Sequence, residues 1–123
     1  MKHLGDGLMV VFAGAVTALE SAVLIQQRVA SRPLEAEPLR IRIGVSSGEA
    51  SEDDGDYFGV PVVEASRLCA SAGPGEIRLS EMVRLLVSSR GSFDLEPLGD
   101  LELKGLSTPL AVYRLRWEPT PGL

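Results

Sequence analysis

At 123 residues, with 45 % apolar and 24 % charged side chains, the chain is long enough for one domain with a real core and too short for two. That composition excludes disorder along the whole length. A formal charge of −5 excludes a general binder of nucleic-acid backbones, which needs a surplus of Lys and Arg on one face.

The single cysteine, Cys69, rules out an internal disulfide and fits a reducing cytoplasm, the expected location. The most apolar stretch, residues 8–25, is interrupted by Gly14, Thr17, Glu20 and Ser21, so it does not read as a membrane span. One lysine upstream and no convincing cleavage region also count against a signal peptide.

Residues 8–13 (LMVVFA) are apolar on both faces and follow Gly5-Asp6-Gly7, which predicts a buried strand leaving a tight turn. After Gly14 the period becomes helical. Ala18, Ala22, Ile25 and Val29 share one face, with Ala15, Leu19 and Val23 beside it, and Pro33 stops the helix near Ser31. Residues 39–45 (LRIRIGV) alternate apolar with basic, as a strand with one buried and one wet face does. Glu49, Glu52, Asp53, Asp54, Gly55 and Asp56 then read as a solvated loop.

A second helix is expected from Gly59, with Pro61 tolerated in its first turn and Val62, Ala65, Leu68 and Cys69 as its apolar stripe. Gly73-Pro74-Gly75 ends it, residues 76–79 (EIRL) form a short strand, and Ser80 caps a short helix over 82–87. Residues 93–98, 101–103 and 110–117 read as strands, with turns at Gly99-Asp100 and over 105–109. Residues 1–117 thus make one domain and 118–123 a C-terminal tail. Alternating strands and helices that give way to short strands predict an α/β (α+β) fold, with helices on one face of a mostly antiparallel sheet.

Four short stretches stand in a meaningful order. They are Lys2-His3-Leu4-Gly5-Asp6-Gly7 before LMVVF; then Ile41-Arg42-Ile43-Gly44-Val45 with Ser47-Gly48-Glu49. Asp56-Tyr57-Phe58-Gly59 follows, running into Ala65-Ser66-Arg67-Leu68 and Pro74-Gly75-Glu76-Ile77; the last is Leu98-Gly99 with Leu103-Lys104-Gly105-Leu106, Pro109 and Val112-Tyr113. Each alone is weak. Together, over essentially the whole chain, they resemble the catalytic domain of the class III adenylyl/guanylyl cyclases. The resemblance implies a ferredoxin-like sheet with helices packed on it. The chemistry it implies is in-line attack of the ribose 3′-oxygen of ATP on the α-phosphorus, aided by two divalent metals, Mg or Mn.

On this resemblance Asp6, on a turn between glycines, matches the second of the family's two metal-binding aspartates. Lys2 and Asp56 match the two base-reading positions. A lysine donates to adenine N1 and a carboxylate accepts from the exocyclic amine, while guanine inverts both groups, so the pair favours ATP. Arg67 matches the arginine that stabilises charge on the phosphates in the transition state, and Lys104 a basic position near the triphosphate. Val63 stands where the family has a ribose-positioning asparagine; valine cannot hydrogen-bond, so the role is lost or passes to a neighbour such as Glu64. His3, Cys69 and Trp117 read as ordinary structural residues, and Gly73-Pro74-Gly75-Glu76 lacks the Gly-Lys-Ser/Thr ending of a phosphate loop.

The family's domain opens with a strand bearing the first metal aspartate and then helices, whereas no acidic residue precedes Asp6 here. The expectation is an N-terminally truncated cyclase-homology domain, lacking the opening strand and helices, that is inactive or very weak alone. The alternative is a non-catalytic nucleotide-binding or protein-interaction module. The strand at 8–13 is expected near an unpaired edge, and the chain as a homodimer or other homo-oligomer. No nucleic-acid or membrane partner is expected.

Overall fold

A computed structural model describes residues 2–4, 7–33, 40–48, 51–53, 56–90 and 93–118. Strand β1 (Lys2–Leu4) pairs antiparallel with β2 (Gly7–Met9), from Lys2↔Met9 to Leu4↔Gly7. The described ladder ends at Met9. Val10, Val11 and Phe12 leave it exposed, so the buried strand expected over 8–13 is not formed beyond Met9.

Helix α1 (Ala15–Ala30) starts after an extended Gly14 and stops where Ser31 departs from helical geometry, close to the expected end. Its buried residues are Leu19, Ala22 and Gln26, whereas Ile25 is exposed. The core stripe is thus rotated from the one read in the sequence. Gln26 can be buried because its Nε2 donates to the Ile41 carbonyl oxygen at 2.8 Å, which offsets the cost of desolvating the amide.

Strand β3 (Ile43–Val45) follows. The acidic stretch expected as a loop forms a hairpin instead, with β4 (Ser51–Asp53) antiparallel to β5 (Asp56–Phe58) in the register Ser51↔Phe58. The signal was present, since Asp54-Gly55 is the dipeptide favoured in two-residue hairpin loops. Helix α2 (Val60–Ser71) begins after Gly59 with Pro61 in its first turn, as expected. Strand β6 (Ile77–Ser80) leads into α3 (Glu81–Val87), whose first turn is capped by Ser80 Oγ accepting from the Val83 N–H.

Strands β7 (Asp94–Leu101) and β8 (Leu110–Arg116) complete the fold. Gly99-Asp100 is not a turn. Gly99 has φ +86° at a bulge between the pairs Pro97↔Tyr113 and Gly99↔Val112, so one strand runs through where two were expected. Pro97 is tolerated because β7 is an edge strand.

The central sheet has the order β3-β6-β8-β7, parallel at β3/β6 and antiparallel elsewhere. Side-chain alternation divides its two faces. Ile43, Val45, Ile77, Leu79 and Leu115 pack with Leu19 and Ala22 of α1 and Val83 and Val87 of α3. Gly44, between Ile43 and Val45, faces the other way, against α2. Helices therefore cover both faces of this mixed sheet, not one. Beyond α2, that second face carries a charged row in which Arg114 pairs with both Glu76 and Glu96, and Arg78 pairs with Glu76. Trp117 closes the end of the sheet, its Nε1 donating to the Gly75 carbonyl oxygen at 2.8 Å.

Among the described residues no helix is long and apolar enough to cross a membrane.

Candidate functional site

The site is built where α2 crosses β3. A Cβ on Gly44 would stand 2.3 Å from the Ala65 carbonyl oxygen and 2.4 Å from the Cys69 nitrogen, so only glycine lets the helix lie this close. Cys69 Sγ donates to the Arg42 carbonyl oxygen at 3.2 Å beside the same crossing, and Leu68 is wholly buried. The backbone of α2 is thereby fixed on the sheet. Its side chains at 60, 64 and 67, spaced at one-turn intervals, share a face directed toward the connection between β7 and β8.

That connection, residues 102–109, turns at Gly105, whose φ of +87° suits glycine. A Cβ there would meet Arg67 Nε at 3.4 Å and Nη2 at 3.5 Å. The Arg67 guanidinium thus lies against the Lys104-Gly105 turn. The structure brings Arg67 beside Gly105, the residue that follows Lys104 in sequence. Arg67 Nε is buried without a hydrogen-bond partner, and no ion pair to Arg67 occurs among the described residues.

A cleft of about 250 Å³ opens beside this contact, lined by Val60 and Glu64 of α2 and by the Gly105–Leu110 segment. Glu64 does not turn to Arg67. Its Oε1 instead accepts a 2.5 Å hydrogen bond from Ser46 Oγ, just past the C-terminal end of β3. Val63, on the same helix, is 40 % exposed. Glu64 is the charged residue in the lining of this cleft, and Arg67 lies against Gly105 at its edge. A guanidinium with unused donors suits an anionic ligand with several oxygens.

The other expected site residues are placed less fully. Lys2 lies in β1 opposite Met9, and Asp56 opens β5 opposite Asp53. Asp6 lies outside the described residues. Among those described, no three His, Cys, Asp or Glu side chains gather to hold a metal ion. Sequence reasoning missed Ser46, and nothing local to it signals a partner 18 residues away. Gly44 could have been found, since a glycine inside a strand marks close approach of another backbone.

The family model for the adenylate and guanylate cyclase catalytic domain matches residues 2–116. A candidate adenylate cyclase of Rhizobium meliloti is 35 % identical over 96 % of this chain, and a pH-sensitive adenylate cyclase of Mycobacterium tuberculosis is 29 % identical over 94 %. The chain spans only 20 % and 29 % of the length of these two relatives. Among solved structures, an adenylate/guanylate cyclase/hydrolase from Silicibacter pomeroyi superposes with a TM-score of 0.80 at 35 % identity, covering 93 % of this chain and 69 % of that one. The catalytic core of a rhodopsin-guanylyl cyclase with converted specificity, in complex with ATPαS, gives 0.76 at 27 % identity over 93 % of this chain and 68 % of that one. With the motifs in order, the sheet and its helices matching, and the family model spanning nearly every residue, the chain belongs to the adenylate and guanylate cyclase catalytic domain family.

Proposed function

We propose that this domain binds ATP and carries the chemistry of an adenylyl cyclase, forming 3′,5′-cyclic AMP and pyrophosphate. The observation that carries the reading is the Arg67 guanidinium lying against the Lys104-Gly105 turn with its Nε unpartnered. In the proposed reaction the ribose 3′-hydroxyl loses its proton to water and its oxygen bonds to the α-phosphorus as the bond to the pyrophosphate oxygen breaks. Negative charge grows on the departing phosphates, and a guanidinium held ready there lowers the barrier without reorganising. Lys104 adds a second positive charge from the turn. Lys2 would donate to adenine N1 and Asp56 would accept from the exocyclic amine, which selects ATP over GTP.

Members of this family use divalent metals. Mg or Mn, with Asp6 as a ligand, belongs to the proposal and would supply activation of the attacking oxygen and neutralisation of the phosphates. Homodimers belong to the same reading; one solved relative, a guanylyl cyclase domain from Blastocladiella emersonii at 29 % identity, is described as dimeric.

Val63 favours a second reading, a domain that binds nucleotide without cyclising it, because a valine cannot hold a ribose by hydrogen bonds. A cyclic AMP assay with Mg²⁺ and with Mn²⁺ decides between them. Product formation that is lost in Arg67→Ala and in Asp6→Asn supports the cyclase. ATP binding with no product at either metal supports the binding module, and no ATP binding overturns both.

A further inference from the structure

Glu64 and Arg67 are one helical turn apart on α2, at the i,i+3 spacing where opposite charges ordinarily meet. They do not meet. Glu64 Oε1 accepts from Ser46 Oγ at 2.5 Å, a distance typical of a charge-assisted O–H···O⁻ bond, while Arg67 turns to the Gly105 backbone with Nε unpartnered. The position of Ser46, just beyond the end of β3, makes the diversion possible. Gly44 holds α2 against that strand, so the hydroxyl and the carboxylate are brought together by the same close crossing that fixes the helix.

We propose that Ser46 is a positioning residue whose hydroxyl holds the Glu64 carboxylate away from Arg67 and so keeps the guanidinium free for a phosphate. This rests on the reading of Arg67 as a phosphate-binding group. Without the hydroxyl, Glu64 has a choice between solvent and the cation one turn along. An ion pair between partly exposed side chains one turn apart on a helix shifts such an equilibrium by a few-fold. Pairing of that strength competes with an incoming phosphate and also places a negative charge beside it. The ligand class is an inorganic or nucleoside polyphosphate. Glu64 contributes by where it is held, since its own charge would repel the ligand.

The test titrates inorganic pyrophosphate into the full chain by calorimetry, for Ser46→Ala, Ser46→Thr, Glu64→Gln, Ser46→Ala with Glu64→Gln, and Arg67→Ala. Thermal melts identify any variant that fails to fold. Ser46→Ala should weaken pyrophosphate about two- to fivefold, the range that such a pair spans, with the loss shrinking as salt rises. Ser46→Thr keeps the hydroxyl and should bind like the parent. The double variant should regain parental affinity, because a neutral amide no longer captures Arg67; a merely structural role for Ser46 predicts no such rescue. Parental affinity in Ser46→Ala overturns the proposal, as does equal weakening in the single and double variants. Arg67→Ala binding as tightly as the parent would overturn the phosphate reading beneath it.

Discussion

Gly44 and Ala65 touch through their backbones: a Cβ on the glycine would come within 2.3 Å of the alanine carbonyl oxygen. Neither atom belongs to a flexible side chain, so a substitution must move α2 or the strand. Gly44→Ala is expected to destabilise the domain by about 1–3 kcal/mol, as overpacking does, read from urea or thermal unfolding. Because Glu64 and Arg67 ride on the displaced helix, polyphosphate affinity should fall in the fraction that remains folded. Unchanged stability in Gly44→Ala would show that the crossing is looser than described.

Gly105 is constrained in a different way. Its φ of +87° is unfavourable to any L side chain, and a Cβ would lie 3.4 Å from Arg67 Nε. Gly105→Ala should cost about 1–2 kcal/mol of stability through the left-handed backbone. It should also lower ATP affinity by disturbing the guanidinium. Stability loss alone, with ATP affinity intact, would separate the turn from the ligand site.

Glu76 predicts an acid limit to stability. The Gly73 backbone N–H donating to its carboxylate holds its pKa below the usual range; burial opposes this, and Arg78 and Arg114 add to the lowering. A depressed folded-state pKa means the contribution is complete above the unfolded value of about 4.3 and is lost as pH falls through the lower folded value. At pH 7, Glu76→Ala should cost about 1.5–3 kcal/mol, the worth of hydrogen bonds to a charged group. The gap between variant and parent should close below about pH 4.3. A constant gap down to pH 3 would contradict the assignment.

Base selection tests the two residues placed only by their backbones. If Lys2 and Asp56 read the base, ATP should bind about tenfold more tightly than GTP, and Lys2→Glu should remove most of that preference. Competition of the two nucleotides against a fluorescent analogue gives the ratio directly. Equal affinities in the parent, untouched by Lys2→Glu, would exclude both residues from recognition.

Much of this was legible in the sequence where signals are local. Gly59, Pro61 and Gly73-Pro74-Gly75 bracket α2, and Ser80 marks the start of α3 as its cap. What depended on distant partners was not legible. Val10, Val11 and Phe12 look like a buried strand by composition, yet pairing stops at Met9. Gln26 looks like a solvent residue until its bond to Ile41 is seen, and it displaces Ile25 from the core. In the candidate site, family motifs pointed to Arg67 and Lys104 as proposals. The Ser46–Glu64 bond was not legible, because no periodicity relates a residue just past a strand to one on a helix 18 positions later.

Arg67 and the Lys104-Gly105 turn are proposed to form a nucleotide phosphate site. The most direct test of this is calorimetric titration of ATP into the parent chain and into Arg67→Ala and Lys104→Ala, with Mg²⁺ present. Saturable ATP binding in the parent is expected, weakened about tenfold or more in Arg67→Ala, the effect of removing charge-assisted bonds, and by less in Lys104→Ala. Folding of each variant is checked by its melt. ATP bound equally by the parent and by both variants would place the phosphates elsewhere and contradict the account.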